Sequence, residues 1–233
     1  MLSFILWYLT VSLVGLLSFP LAFRLLPALP DRGYVLNRTL GILIWGYSFW
    51  LLASLGIIRN NLGGLVLTLG VLLAISLWAV RGIHREDFLR WWHNRRRLVF
   101  SVEILFFVCF AAWAIVRAAN PDIYGTEKPM ELAFINAILH SPTFPPHDPW
   151  LSGYAISYYY FGYVLVAMLA QFTATPGGVA FNLGVSLVFS LSAIGAYGLV
   201  YDLLIRRFSS KTSTSSSEHP NRSMEGKNLF SAL

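Results

Sequence analysis

Charge is scarce in this 233-residue chain: Asp, Glu, Lys and Arg make up 12%, while hydrophobic residues make up 56%. A typical soluble domain carries roughly 25% charged residues. The deficit is concentrated in six apolar segments, at 1–23, 40–58, 62–80, 99–119, 158–175 and 179–205. These contain only Glu103, Arg117 and Asp202 among the 28 charged side chains. Cysteine is almost absent as well. The single Cys109 excludes an intrachain disulfide and a cysteine-based zinc site. Strict polar–apolar alternation is missing, which excludes a transmembrane β-barrel, and no tandem repeat suggests a solenoid. A water-soluble globule is excluded, and a net charge of +6 does not by itself make a nucleic-acid binder.

What is present is a series of continuous runs rich in Leu, Ile, Val, Phe and Ala. Several approach the ~20 residues that an α-helix needs to cross ~30 Å of hydrocarbon. The expectation is an all-α integral membrane protein with about six transmembrane helices. Residues 1–119 hold four of them, 120–157 form an outer loop, 158–208 add two more, and 209–233 form a Ser-rich disordered tail. Eight of the nine residues Ser209–Ser217 are Ser or Thr, a composition unable to bury enough apolar area to order itself.

Basic residues orient the helices. Loop 81–98 holds Arg81, Arg85, Arg90, Arg95, Arg96 and Arg97, and loop 24–39 holds Arg24, Arg32 and Arg38. Arg59 is alone in its turn. The positive-inside rule therefore puts loops one and three in the cytoplasm and the N-terminus and 120–157 outside. The cell membrane, with membrane lipids as partners and no nucleic acid, is the expected setting. Six full crossings leave Arg206, Arg207 and Lys211 outside, against the same rule; either 158–175 does not fully cross or these residues serve an anion. Ion transport is disfavoured, because pathways carry charges mid-membrane. Glu103 falls near the inner end of its span, and Arg117 and Asp202 near outer ends.

The loop 120–157 is long for a membrane bundle, and its aromatics argue against disorder. Thr126 suits a helix N-cap and Pro129 a first turn. Leu132, Ile135, Ile138 and Leu139 make an apolar stripe, so a surface-lying helix is expected from about Glu127 to His140. Glu127 and Glu131 share one of its faces. Four prolines between Pro142 and Pro149 predict a stiff extended segment that carries Asp148 on a rigid arm. His140, His147 and Asp148 match no metal motif. Three consecutive tyrosines, Tyr158, Tyr159 and Tyr160, open the fifth apolar segment. On a helix they point about 100° apart, so at least one faces a neighbouring helix or a cavity.

The run Gly125-Thr-Glu-Lys-Pro-Met-Glu131, then Phe134-Ile-Asn-Ala137, then Phe144-Pro-Pro-His-Asp-Pro-Trp-Leu-Ser-Gly153, ending in Tyr158-Tyr-Tyr-Phe-Gly-Tyr163, resembles the bacterial and archaeal multi-span family called the YYY membrane proteins. That family is in turn similar to the GT-C membrane glycosyltransferases. The resemblance implies a GT-C-like fold and transfer of a sugar from a polyprenyl-phosphate donor at the outer face. It implies Glu127 as the catalytic acid or base, with Glu131 and Asp148 as second choices. The Glu-Lys pair departs from the two consecutive acids of many such enzymes. Lys128 or a bound divalent cation would meet the leaving phosphate; no metal ligands are assigned. His147, Trp150 and Tyr158–Tyr160 would hold sugar or prenyl chain. The alternative is a non-catalytic membrane subunit or binding module for a lipid-linked sugar or a protein partner. Family members are several times longer, so the chain is expected to be an N-terminal portion lacking further spans.

Overall fold

Seven helices, and no β-sheet, make up the computed structural model, which describes residues 1–217. In chain order they are α1 (Leu2–Leu25), α2 (Asn37–Ser54), α3 (Leu62–Val80), α4 (Arg85–Ala119), α5 (Lys128–His140), α6 (Phe161–Phe172) and α7 (Gly177–Ser217). Every expected apolar segment contains a helix, though 55–58, 158–160 and 173–175 lie outside these helices. Four of the helices are long and apolar enough to cross a membrane: Leu2–Leu25, Leu62–Val80, Arg85–Ala119 and Gly177–Arg207. α7 runs into the Ser-rich segment as far as Ser217. The rest of the expected tail, 218–233, lies outside the described residues.

Local chemistry sets several helix ends. The Asn61 side chain accepts from the Gly64 amide at 2.9 Å and caps α3. Glu86 and Asp87 sit in the first turn of α4 and Arg117 in its last, each complementing the helix dipole. Where α1 crosses α2 the backbones nearly touch: a Cβ on Gly41 would lie 2.5 Å from the Val14 carbonyl oxygen. Such small-residue contacts replace hydrophobic driving force in a lipid environment. The Ser18 hydroxyl donates to the Asn37 carbonyl at the same crossing.

A charge pair links α2 to α4. Arg38, only 3% exposed, donates to both carboxylate oxygens of Glu103 at 3.0 and 2.5 Å. Its guanidinium also stacks on Phe106, 4.2 Å from the ring centre. The Tyr34 hydroxyl donates to Glu103 at 2.7 Å. Burying an arginine requires this degree of pairing.

The fifth apolar segment departs from the expected topology. α6 has 12 residues, about 18 Å of helix, too short for a full crossing. Both of its ends are tied to the same side of the bundle. At its start, the Trp50 indole of late α2 donates to the Tyr160 hydroxyl at 3.1 Å. Just past its end, Thr175 accepts from the indole of Trp7, in the second turn of α1, at 3.1 Å. α7 then starts beside Asn136 of α5. Arg117 of α4 donates to Asn182 of α7 at 2.7 Å.

The far half of α7 therefore reaches the opposite, arginine-bearing end. There Arg206 donates to the Ala28 carbonyl at 2.8 Å, and Arg95 to the Tyr201 hydroxyl at 3.1 Å. The conflict over Arg206 and Arg207 disappears, because they share an end with Arg90 and Arg95. Asp202, expected at an outer end, lies at this end too and accepts from the Asp31 amide at 3.2 Å. Composition reports how apolar a segment is. It does not report whether a segment's two ends lie on one side of the bundle.

Candidate functional site

The 120–160 segment folds into a cap over one end of the bundle. Asn60, buried in the turn between α2 and α3, holds it there. Its amide donates to the carbonyls of Ile138 and Ser141 at 2.6 and 2.7 Å, and its backbone amide to Pro142 at 3.0 Å. These carbonyls lie at the C-terminus of α5 or just past it, where the helical ladder ends; Ile138 also accepts the Ser141 amide at 3.3 Å. On the other flank, Arg117 donates to the Asp122 carbonyl at 3.0 Å and Asn182 to Pro121 at 3.2 Å.

The expected surface helix is present almost at its expected bounds, as α5. Its start differs. Gly125 and Thr126 take left-handed backbone with φ of 75° and 54°, and Glu127, not Thr126, occupies the N-cap without a side-chain capping bond. Thr126 in that region is strained, and Gly125 is suited to it. Phe134, Ile135 and Ile138 turn inward, so the apolar stripe faces the protein.

Phe134 is the hub of an aromatic cluster. Its ring centre lies 5.6 Å from Trp150, 5.7 Å from Tyr158 and 5.6 Å from Tyr163. Trp150 is 60% exposed and Tyr159 81%, so the cluster opens to the surroundings. The carboxylates of Glu127 and Glu131 border it. The hydrogen bond with Tyr159, then desolvation and the charge of Glu127, push the Tyr158 hydroxyl above its ordinary pKa. It is therefore a neutral donor at physiological pH. Lys128 opens α5 beside Glu127, half-buried.

The tyrosine triplet is not helical throughout. Tyr158 and Tyr159 precede α6, their rings 4.2 Å apart, and Tyr160 is its N-cap. Tyr158 packs on Phe134 of α5, while Tyr160 turns to α2, where it accepts from Trp50, and stacks on Phe144 of the loop at 6.5 Å.

Asp148 sits differently from expectation. The proline-rich segment does not project as an extended arm but folds back. The Asp148 amide donates to Tyr154 at 2.9 Å, Ile156 to Pro146 at 3.0 Å, and His147 pairs with Ala155. Gly153 turns the loop with φ of 85°. Asp148 Oδ1 accepts from the amides of Trp150 and Leu151 at 2.8 and 2.9 Å. The carboxylate thus closes its own turn, as aspartates do in Asx turns. The fold-back carries Trp150 onto Phe134. His147 is exposed, with its amide held by Ser141 Oγ at 2.9 Å. Among the described residues no group of three or more His, Cys, Asp or Glu is arranged to hold a metal ion.

Sequence reasoning missed Asn60 and Asn182, which moor the cap. The local signal for Asn60 was faint: an Asn-Asn pair in a short turn between two apolar helices.

Apolar helices long enough to span a membrane, joined by a structured cap, define a multi-span all-α membrane protein. Residues 44–226 match the family described as uncharacterized membrane protein DUF2298, and the chain belongs to that family. The match carries no tie to the GT-C glycosyltransferases. No curated protein and no solved structure matches.

Proposed function

We propose that the chain is a non-catalytic membrane subunit whose cap binds a lipid-linked sugar at the outer membrane face. The observation that carries this reading is the open aromatic cluster of Phe134, Trp150 and Tyr158, bordered by Glu127 and Glu131. Aromatic faces pack against the C–H faces of a sugar ring, and carboxylates accept from its hydroxyls. A polyprenyl tail would enter the bilayer beside the cap. Asp148 acts here by building the loop that presents Trp150, not by touching ligand.

The membrane topology in this reading has five crossings: α1, α2, α3, α4 and α7. α6 dips into the outer half and returns. The support is the gathering of Arg90, Arg95, Arg206 and Arg207 at one end, which the positive-inside rule assigns to the cytoplasm.

The test is binding of a fluorescent polyprenyl-phosphate sugar to the purified chain. Trp150→Ala and Glu131→Gln each lower affinity about tenfold, as loss of an aromatic contact or a charged hydrogen bond does. Unchanged affinity in both variants contradicts the proposal. The glycosyltransferase reading is separated by adding an acceptor. Sugar turnover that Glu127→Gln abolishes would replace the subunit by an enzyme in which Glu127 takes the acceptor proton.

A further inference from the structure

The end of the bundle opposite the cap holds a cavity of about 510 Å³ between the 26–32 turn, the first turns of α4 and the far half of α7. Arg32, Arg90, Arg95 and Arg206 line it, with Asn94 and Trp91, and Asp87 as its one acid. Among the described residues the single ion pair is Arg38–Glu103, so no carboxylate neutralises these four guanidiniums within ion-pair distance. Two of them spend one N–H on protein acceptors, Arg95 on Tyr201 and Arg206 on Ala28. Trp91 is 7% exposed, and its indole N–H has no partner. A buried donor without an acceptor is costly unless a ligand supplies one. The lining is therefore rich in donors and poor in acceptors, and suits an anion with several oxygens.

A second cavity of about 260 Å³ adjoins the first, sharing Leu29 and Arg206. It is an apolar groove along α7, walled by Val35, Leu36, Gly195, Gly198, Leu199 and Leu203. Asp31 and Asp202 also border it; both Asp31 oxygens accept backbone amides, from Gly33 and Val35, and one Asp202 oxygen accepts from the Asp31 amide. A donor-lined chamber joined to an apolar groove matches one kind of molecule, an amphiphile with a phosphate head.

We infer that this end is a binding site for an anionic glycerophospholipid, its phosphate among Arg32, Arg90, Arg95 and Arg206 and an acyl chain in the groove along Gly195–Leu199. The site is separate from the cap and independent of its ligand. Arginine suits the head because its planar fork matches phosphate oxygens. A free phosphate would use the chamber and ignore the groove.

The test uses the full chain in neutral detergent, with retained lipid counted by native mass spectrometry. Dioleoylphosphatidylglycerol is expected to be retained about tenfold better than dioleoylphosphatidylcholine, since a basic cluster discriminates headgroup charge by that order. Arg90→Gln with Arg95→Gln removes the preference. Arg96→Gln with Arg97→Gln, the same charge change on exposed residues outside the cavity, preserves it. Gly195→Leu, where an added Cβ meets no atom within 4 Å, fills the groove and abolishes retention with every arginine in place. Equal loss in the two arginine double variants, or equal retention of the two lipids, overturns the site in favour of diffuse attraction. Retention surviving Gly195→Leu, with displacement by inorganic phosphate, overturns the lipid in favour of a free anion. Should the Arg90/Arg95 variant not fold, the lipid preference of the native chain and Gly195→Leu still decide.

Discussion

The two ends of the bundle are secured by different physics. At the cap end, neutral groups do most of the fastening: Asn60, Asn182 and the indoles of Trp7 and Trp50 reach backbone carbonyls and hydroxyls across helix boundaries, and Arg117 adds one charged donor, to the Asp122 carbonyl. At the arginine end, charge is handled in two ways. Arg38 is buried and paired with Glu103, while Arg90, Arg95 and Arg206 face a cavity. Neutral hydrogen bonds position a loop with little dependence on salt, which suits a surface that must keep a fixed shape. Guanidiniums without carboxylate partners hold charge available for an anion and respond to ionic strength. The contrast fits the two proposals, shape recognition at one end and charge recognition at the other.

The largest expected effect breaks the arginine end. Glu103→Gln leaves Arg38 buried without a counter-charge and should cost about 2–3 kcal/mol, discounted because Glu103 is itself partly exposed. Thermal unfolding in detergent measures this. A double change, Glu103→Gln with Arg38→Met, should recover most of the loss. Next, Asn60→Ala removes both side-chain bonds to the end of α5, leaving the Ser141 carbonyl without this donor and Ile138 with only the Ser141 amide, and should cost about 2 kcal/mol. Its effect is confined to the cap: hydrogen exchange should rise across 120–157 and stay unchanged in α4. Uniform loss of protection would mean that the cap is not a separate unit.

Smaller effects sharpen the contrast. Trp7→Phe keeps the ring but removes the bond to Thr175, about 1 kcal/mol, and should loosen the α6–α7 turn more than α1. Trp150→Ala should change stability by about 0.5–1 kcal/mol, its ring pair with Phe134, while lowering sugar-lipid affinity far more. A variant that lost both in proportion would make Trp150 a packing residue and not a contact for ligand.

Much of this was legible in the residues. Period and length found each apolar helix, because continuous apolar runs have few other solutions in a bilayer. The stripe Leu132, Ile135, Ile138 and Leu139 located α5 almost to the residue. Charge counting even exposed the contradiction at Arg206, whose source is the short α6. Its depth was not legible, since Tyr158–Thr175 is as apolar as a crossing segment and only its partners Trp50 and Trp7 bring both ends to one side. Asp148 misled for a related reason. Proline limits φ residue by residue, but the direction of the segment was decided by hydrogen bonds to Tyr154 and Ile156, nonlocal choices that propensity does not contain. The resemblance ranked Glu127 ahead of Glu131 and Asp148, but gave all three the same kind of role. In the fold, one closes a turn and two border the aromatics.

The separation of the two ends is tested most directly by labelling intact cells with a membrane-impermeant maleimide, using single-cysteine variants in a Cys109→Ser background. Tyr159→Cys should react from outside, while Arg96→Cys and Arg207→Cys should both stay protected until the membrane is permeabilised. Labelling of Arg207→Cys from outside together with Tyr159→Cys would mean that α6 crosses, and would contradict the account.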